Sequence, residues 1–136
     1  MIKYLLDTNI CIYVIKRRPV EVRERFNEAA GQLAISSVTL AELLHGVEKS
    51  QQVARNLRAV EDFSSRLDVL EYGEQAAGHY GEIRAQLERQ GRPIGVNDLH
   101  IAAHARSLGV VLVTNNMKEF ERVEGLRLQN WLEPSA

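Results

Sequence analysis

Short apolar segments separated by helical patterns limit this chain to few folds. Four predominantly apolar runs are too short for helices and cover residues 2–6, 33–35, 67–70 and 110–113, with a weaker fifth run at 126–128. A run without polar alternation is typical of a strand buried on both faces of a parallel sheet. The segments between them have helical spacing, which predicts helices near residues 10–14, 22–29, 40–47, 53–63, 74–90 and 98–108.

This alternation predicts a three-layer α/β/α fold with a short parallel sheet of four or five strands. The 136 residues contain no linker, repeat or low-complexity tract, so we expect one domain over residues 1–136. Polar side chains before the helical segments offer caps, and we place these caps at Thr8–Asn9, Ser37–Thr39 and Asn97.

Composition and charge exclude several classes of protein. A formal net charge of −1 excludes a strongly basic nucleic-acid coat, and no apolar run approaches the ~20 residues of a membrane span. The apolar N-terminus contains Asp7 and is followed by the basic cluster 16–18, which is the wrong order for a secretory signal. The single cysteine, Cys11, has no internal disulfide partner. We therefore expect a cytoplasmic protein without membrane contact.

Carboxylates occur where a parallel sheet would place a ligand site, beyond the carboxyl ends of its strands. Asp7 follows the first strand, and Thr114 and Asn116 follow the Val-rich strand. Parallel topology can bring four acidic residues to this edge: Asp7, Glu42, Asp98 and Glu119. Their scattered spacing alone is weak evidence, because any chain with many acids has such positions.

The orientation of the helix that begins near Asp98 can be predicted from the angle between successive residues around the helix axis. At ~100° per residue, three apolar residues share the face of Asp98: Ile101, Ala102 and Ala105. Asp98 therefore lies at the inner edge of the contact between helix and sheet. His100 and His104 have the spacing of a metal pair, but they point away from Asp98. We assign both histidines a surface or interface role.

A cluster of carboxylates is strained by charge repulsion unless a proton or a cation is present. Hard oxygen ligands favour Mg²⁺ or Mn²⁺ over zinc, and Mg²⁺ takes one or two carboxylates with waters and a substrate phosphate. The reaction that such a site favours is metal-assisted hydrolysis of a phosphodiester. The simpler alternatives are helix caps at Asp7 and Asp98 and surface acids at Glu42 and Glu119.

Four sequence blocks carry a resemblance to a known family. They read L-L-D-T-N-I-C-I-Y, S-S-V-T-L-A-E-L-L-H-G, G-R-P-I-G-V-N-D-L-H-I-A-A-H-A and V-L-V-T-N-N-M-K-E-F, in this order along nearly the whole chain. Together they resemble the PIN-domain superfamily and, within it, toxins of the VapC type. The resemblance implies a PIN fold and an Mg²⁺-dependent endoribonuclease, the toxin of a type II toxin–antitoxin module.

The resemblance also implies roles for particular residues. The core metal ligands would be Asp7 and Asp98, with Glu42 as the third acid. Glu119 stands where many relatives have Asp, and its longer side chain would reach a metal only through water. Side chains at three further motif positions would orient ligands or phosphate: Asn9, Thr114 and Asn116.

The same resemblance implies partners and a substrate. It suggests initiator tRNA, cut in the anticodon loop, as the substrate, and a VapB-like antitoxin as the inhibitor. It further suggests a homodimer and a larger toxin–antitoxin complex that binds operator DNA through the antitoxin.

Two other functions remain open from the sequence. One is a catalytically inactive PIN-like module that only binds nucleic acid. The other is a receiver domain, which requires a phosphorylatable Asp after its third strand and a Lys on a late loop. Here the third strand is followed by Glu71, and Lys118 lies past the Thr-Asn-Asn turn, so the receiver pattern fits poorly.

Overall fold

A parallel sheet forms the centre of the computed structural model, which describes residues 1–132. Within this range the sheet has five strands: β1 (Tyr4–Leu6), β2 (Leu33–Ser36), β3 (Asp68–Leu70), β4 (Val111–Val113) and β5 (Arg127–Gln129). Their order is β3-β2-β1-β4-β5, and every neighbouring pair is parallel. The predicted sheet is confirmed, with its last strand shifted by one residue. Residues 133–136 of the predicted domain lie outside the described residues.

Helices cover both faces of this sheet. Over residues 1–132 the structure has seven: α1 (Thr8–Lys16), α2 (Val20–Glu28), α3 (Ser37–Glu48), α4 (Val53–Ser64), α5 (Glu74–Arg89), α6 (Val96–Leu108) and the short α7 (Met117–Phe120). Among these helices, none combines the length and the apolar character that crossing a bilayer requires.

Adjacent residues of β1 pack into two separate hydrophobic cores. Leu6 packs with Ile10 and Phe26 on one face, where α1 to α4 lie. Leu5 packs with Ile83 and other residues of α5 and α6 on the opposite face. Because both faces of β1 are covered, its residues are apolar without alternation, which is the pattern that the sequence showed.

The strand order excludes the receiver alternative. A flavodoxin-like receiver sheet has the order 2-1-3-4-5, with β3 beside β1. Here β3 is an edge strand beside β2, and the central strand β1 is followed by Asp7.

Three helix starts differ from the prediction. The caps had been placed at Thr8–Asn9, Ser37–Thr39 and Asn97. Instead, Asp7 caps α1 by accepting a hydrogen bond from the Ile10 N–H at 2.9 Å, and Ser36 caps α3 by accepting from the Val38 N–H at 3.1 Å. Helix α6 begins after Gly95, without a side-chain cap. At α1 and α3 the polar residue one position earlier is the cap, whereas Asn97 lies inside α6 and its side-chain amide donates to Glu42.

His104 is a buried residue, contrary to the predicted surface or interface role. It is 3% exposed, and its Nδ1 lies 2.8 Å from the Oγ of Ser36. The ring of Tyr72 packs edge-on against it at 5.6 Å. The helical wheel correctly turned His104 away from Asp98, but that face packs against protein rather than solvent. Burial lowers the pKa of His104 below its ordinary value of 6.5.

This burial predicts that the contribution of His104 to stability falls in mild acid. Below pH 6.5 the unfolded chain takes up a proton at His104 that the folded protein resists, so the unfolding free energy falls as pH drops. The contribution is at most about 1.4 kcal/mol between pH 7.5 and 5.5. In urea titrations at these two pH values, the unfolding free energy of the unmodified protein should change less favourably towards pH 5.5 than that of His104→Gln, by up to this amount. An equal change in both proteins, or a less favourable one in His104→Gln, would contradict this explanation.

Candidate active site

The central strands bring the first two predicted site residues together. Asp7 follows β1 and Thr114 follows β4, and these two strands are neighbours in the sheet. The Asp7 N–H donates to the Val113 carbonyl at 3.0 Å, which continues the strand pairing by one residue. Both side chains therefore emerge at the carboxyl edge of the sheet.

Asp7 is a nearly buried carboxylate, only 4% exposed. Burial raises its pKa, and the negative charge of Glu42 raises it further. The Thr114 hydroxyl and the N–H groups of Ile10 and Asn9 lower it in part by hydrogen bonding. Asp7 thus acts as a helix cap and also faces a second acid, so the two interpretations of this residue are not exclusive.

Glu42 is held by donors from two other helices. Its Oε1 accepts a hydrogen bond from the Thr8 hydroxyl of α1 at 2.6 Å. Its Oε2 accepts from the Asn97 side-chain amide of α6 at 3.1 Å. Glu42 is therefore not the freely exposed helix glutamate of the simpler alternative.

Glu119 is fixed by two donors of its own. Its Oε1 accepts from the Gly95 N–H at 2.9 Å, and its Oε2 accepts from the Asn116 side-chain amide at 2.8 Å. The Asn116 N–H in turn donates to the Thr114 hydroxyl at 2.9 Å. Burial alone would raise the pKa of Glu119, but the Gly95 N–H, Asp98 and Asn116 together lower it below its ordinary value.

Asp98 is the carboxyl group whose pKa the other three acids all raise. Burial, a hydrogen bond to Glu119, and the charges of Glu119, Asp7 and Glu42 raise its pKa to about 7. A Cβ at Gly95 would lie 3.7 Å from an oxygen of Asp98 and 3.7 Å from an oxygen of Glu119. Both acids therefore border the same small space. Below about pH 7, Asp98 is therefore protonated and donates to an ionised Glu119.

The four predicted acids thus lie in one cluster, and the three orienting candidates differ in their contacts. Thr114 and Asn116 join the cluster through the hydrogen bonds described above. Asn9 is exposed on α1, and its backbone N–H is the group that affects Asp7. The prediction missed the contacts of Thr8 and Asn97 with Glu42. Both had been interpreted as helix caps, although each directly adjoins a predicted acid.

Comparison with known families identifies the family of this chain. Residues 4–126 match the model of the PIN domain. The chain belongs to the PIN-domain family. The match spans every strand up to β4 and all four clustered acids, and it includes the loops that carry them.

Proteins related to this PIN domain carry ribonuclease names. It is 60% identical over 131 residues to the tRNA(fMet)-specific endonuclease VapC of Shigella flexneri, covering 96% of this chain and 99% of the relative. It is 58% identical over 132 residues to ribonuclease VapC2 of Haemophilus influenzae, covering 97% and 100%. The chain therefore belongs to the VapC ribonucleases among PIN domains, as the sequence motifs predicted.

A solved structure supports the same conclusion. The PIN domain superposes with a TM-score of 0.93 on a chain from the crystal structure of DNA-bound VapBC from Salmonella typhimurium. The two chains are 54% identical, and the alignment covers 96% of this chain and 99% of the other. The relative was crystallised as a toxin–antitoxin complex with DNA.

The residues of this PIN domain fit a divalent cation by their chemistry. The acids supply hard oxygen donors, and the three ion pairs found within residues 1–132 involve none of the four. Over the same range no three acidic, histidine or cysteine side chains are close enough together to hold a metal ion. Mg²⁺ does not require three such ligands, because it binds through one or two carboxylates and keeps several waters. The negative charges of Glu119, Asp7 and Glu42, which help to raise the pKa of Asp98, would also attract a cation.

Proposed function

We propose that residues 1–136 form a single PIN domain that acts as an Mg²⁺-dependent endoribonuclease, with Mn²⁺ as a possible substitute. The observation that carries the proposal is the convergence of four carboxyl groups from distant parts of the chain, with the pKa of Asp98 raised to about 7. Repulsion between these carboxylates lowers stability without a cation and favours the binding of one. The presence of all four acids argues against a catalytically inactive module.

Each acid has a proposed role in this site. Asp7 and Asp98 are the principal metal ligands, and Glu42 and Glu119 contribute beside them, Glu119 through water. A divalent ion bound by such carboxylates supplies an activated water and offsets the charge of a phosphodiester. Thr8 and Asn97 orient Glu42, whereas Asn116 and the Gly95 N–H orient Glu119. Thr114 holds Asp7, and the proposed role of Asn9, which is exposed on α1, is to contact phosphate.

The substrate and partners follow from the relatives. The Shigella relative is named for tRNA(fMet), so the proposed substrate is initiator tRNA, cut in the anticodon loop. The Salmonella relative was solved as VapBC with DNA. We infer a VapB-like antitoxin that inhibits the enzyme, a homodimer, and a larger complex that binds operator DNA through the antitoxin, all in the cytoplasm.

The proposal is tested by incubating the purified protein with initiator tRNA and with an elongator tRNA. We expect cleavage in Mg²⁺ or Mn²⁺, none in EDTA, and product ends within the anticodon loop of the initiator tRNA. Cleavage of both tRNAs alike would contradict the substrate assignment. Undiminished cleavage in EDTA, or none with either ion, would contradict the proposed chemistry.

A further inference from the structure

Asn97 connects two helices that each carry an acid of the site. Its side-chain amide donates to Glu42 of α3 at 3.1 Å, while the next residue on α6 is Asp98. A second link between these helices joins the Ser36 cap of α3 to His104 of α6 at 2.8 Å. The two links hold α3 and α6 together at two points.

The order of these links along the chain shows that α3 and α6 run antiparallel where they are joined. Glu42 lies six residues after Ser36, and Asn97 lies seven residues before His104, so the links are about 9 Å apart along α3 and about 10.5 Å apart along α6. The Ser36–His104 link is buried, whereas the Asn97–Glu42 link is exposed at the acidic edge. The exposed link therefore joins α3 and α6 at the edge where their acids lie.

The chemical nature of the donor also matters. Thr8, Asn97 and Asn116 are neutral, so they orient the carboxylates of Glu42 and Glu119 without cancelling the negative charge. A lysine at position 97 would supply a competing positive charge at the same place. A neutral donor leaves the charge available to a cation and reduces the freedom that the Glu42 side chain loses when one binds.

We propose that Asn97 is a positioning residue that presets Glu42 for divalent-cation binding and does not itself contact RNA. This inference rests on the proposed function. It assigns to Asn97 a contribution to metal affinity, with no direct part in the affinity for tRNA.

The test is calorimetric titration of the protein with Mn²⁺ alone, followed by tRNA cleavage at several Mn²⁺ concentrations. Asn97→Ala should weaken Mn²⁺ binding about tenfold, the lower range for loss of a residue that orients a metal ligand. Its cleavage rate should recover towards that of the unmodified protein at saturating Mn²⁺, with KM for tRNA unchanged. Asn97→Lys should weaken Mn²⁺ binding at least as much. Asn27→Ala, at an exposed asparagine on α2, is the matched control.

The outcomes separate this inference from the proposed function. If the unmodified protein binds no Mn²⁺, the proposed function fails. If it binds Mn²⁺ and Asn97→Ala binds equally well, the positioning role fails. A raised KM for tRNA with unchanged Mn²⁺ affinity would make Asn97 a contact to RNA and would overturn the inference. Asn97→Lys binding like the unmodified protein would overturn the argument for a neutral donor.

Discussion

Asp98→Asn is expected to reduce tRNA cleavage about a thousandfold, which corresponds to about 4 kcal/mol in the activation barrier. Asparagine has nearly the same shape but cannot carry the negative charge that a cation requires. Asp98 is the point where the influence of Glu119, Asp7 and Glu42 converges, so its loss affects the whole cluster. The measurement is the single-turnover cleavage rate at saturating Mg²⁺.

The same substitution should leave the fold intact. In the metal-free protein at pH 8, Asp98→Asn should unfold at the same temperature as the unmodified protein or higher, because one repelling charge is gone. Asp68→Asn is the matched control, since Asp68 is exposed on the edge strand β3, and it should cleave normally. A folded Asp98→Asn variant that cleaves within threefold of the unmodified protein would contradict the assignment.

Stabilisation of the fold by Mn²⁺ is expected to depend strongly on pH. The raised pKa of Asp98 means that the folded protein holds a proton there up to about pH 7, whereas the unfolded chain releases it near the ordinary value of 3.8. Stability from this group is therefore present at low pH and is lost as pH rises through 7. A cation must displace the same proton, so it binds best above pH 7.

The size of this effect is measurable by thermal unfolding. At pH 5.5 about 3% of Asp98 is ionised if its pKa is about 7, so Mn²⁺ affinity should be about thirtyfold lower than at pH 8. With Mn²⁺ at 100 times its Kd, the stabilisation at pH 8 is about 2.7 kcal/mol, and at pH 5.5 it falls below about 1 kcal/mol. Equal shifts in Tm at both pH values would show that Asp98 does not bind the ion. Asp98→Asn should remove most of the pH difference.

The sequence predicted the sheet and the edge of the site because both depend on local pattern. Leu5 and Leu6 are adjacent, yet each belongs to a different core, and this double burial produces the continuous apolar strand that was visible in the sequence. Parallel strands all end at one edge, so Asp7 and Thr114 were expected at the same edge, and the pairing of β1 with β4 makes them neighbours. Glu42 and Glu119 were candidates by their position, and the family motifs distinguished them from surface acids.

Contacts between helices were not predictable from the same patterns. Asn97 looked like a helix cap, because its sequence position is typical of one, but its amide instead reaches Glu42, 55 residues away. His104 was placed on the correct side of α6, yet the wheel gives only a direction and does not show that Ser36 and Tyr72 cover that side. In both cases the partner comes from a distant segment, and only the packed tertiary structure selects it.

The central claim is that Asp7 and Asp98 bind one divalent-cation centre together with Glu42 and Glu119. A crystal soaked in Mn²⁺ at pH 8 tests it most directly through the anomalous signal of the metal. The account predicts a strong peak in contact with Asp7 and Asp98 that disappears in Asp98→Asn. A peak at another part of the surface, or none at saturating Mn²⁺, would contradict it.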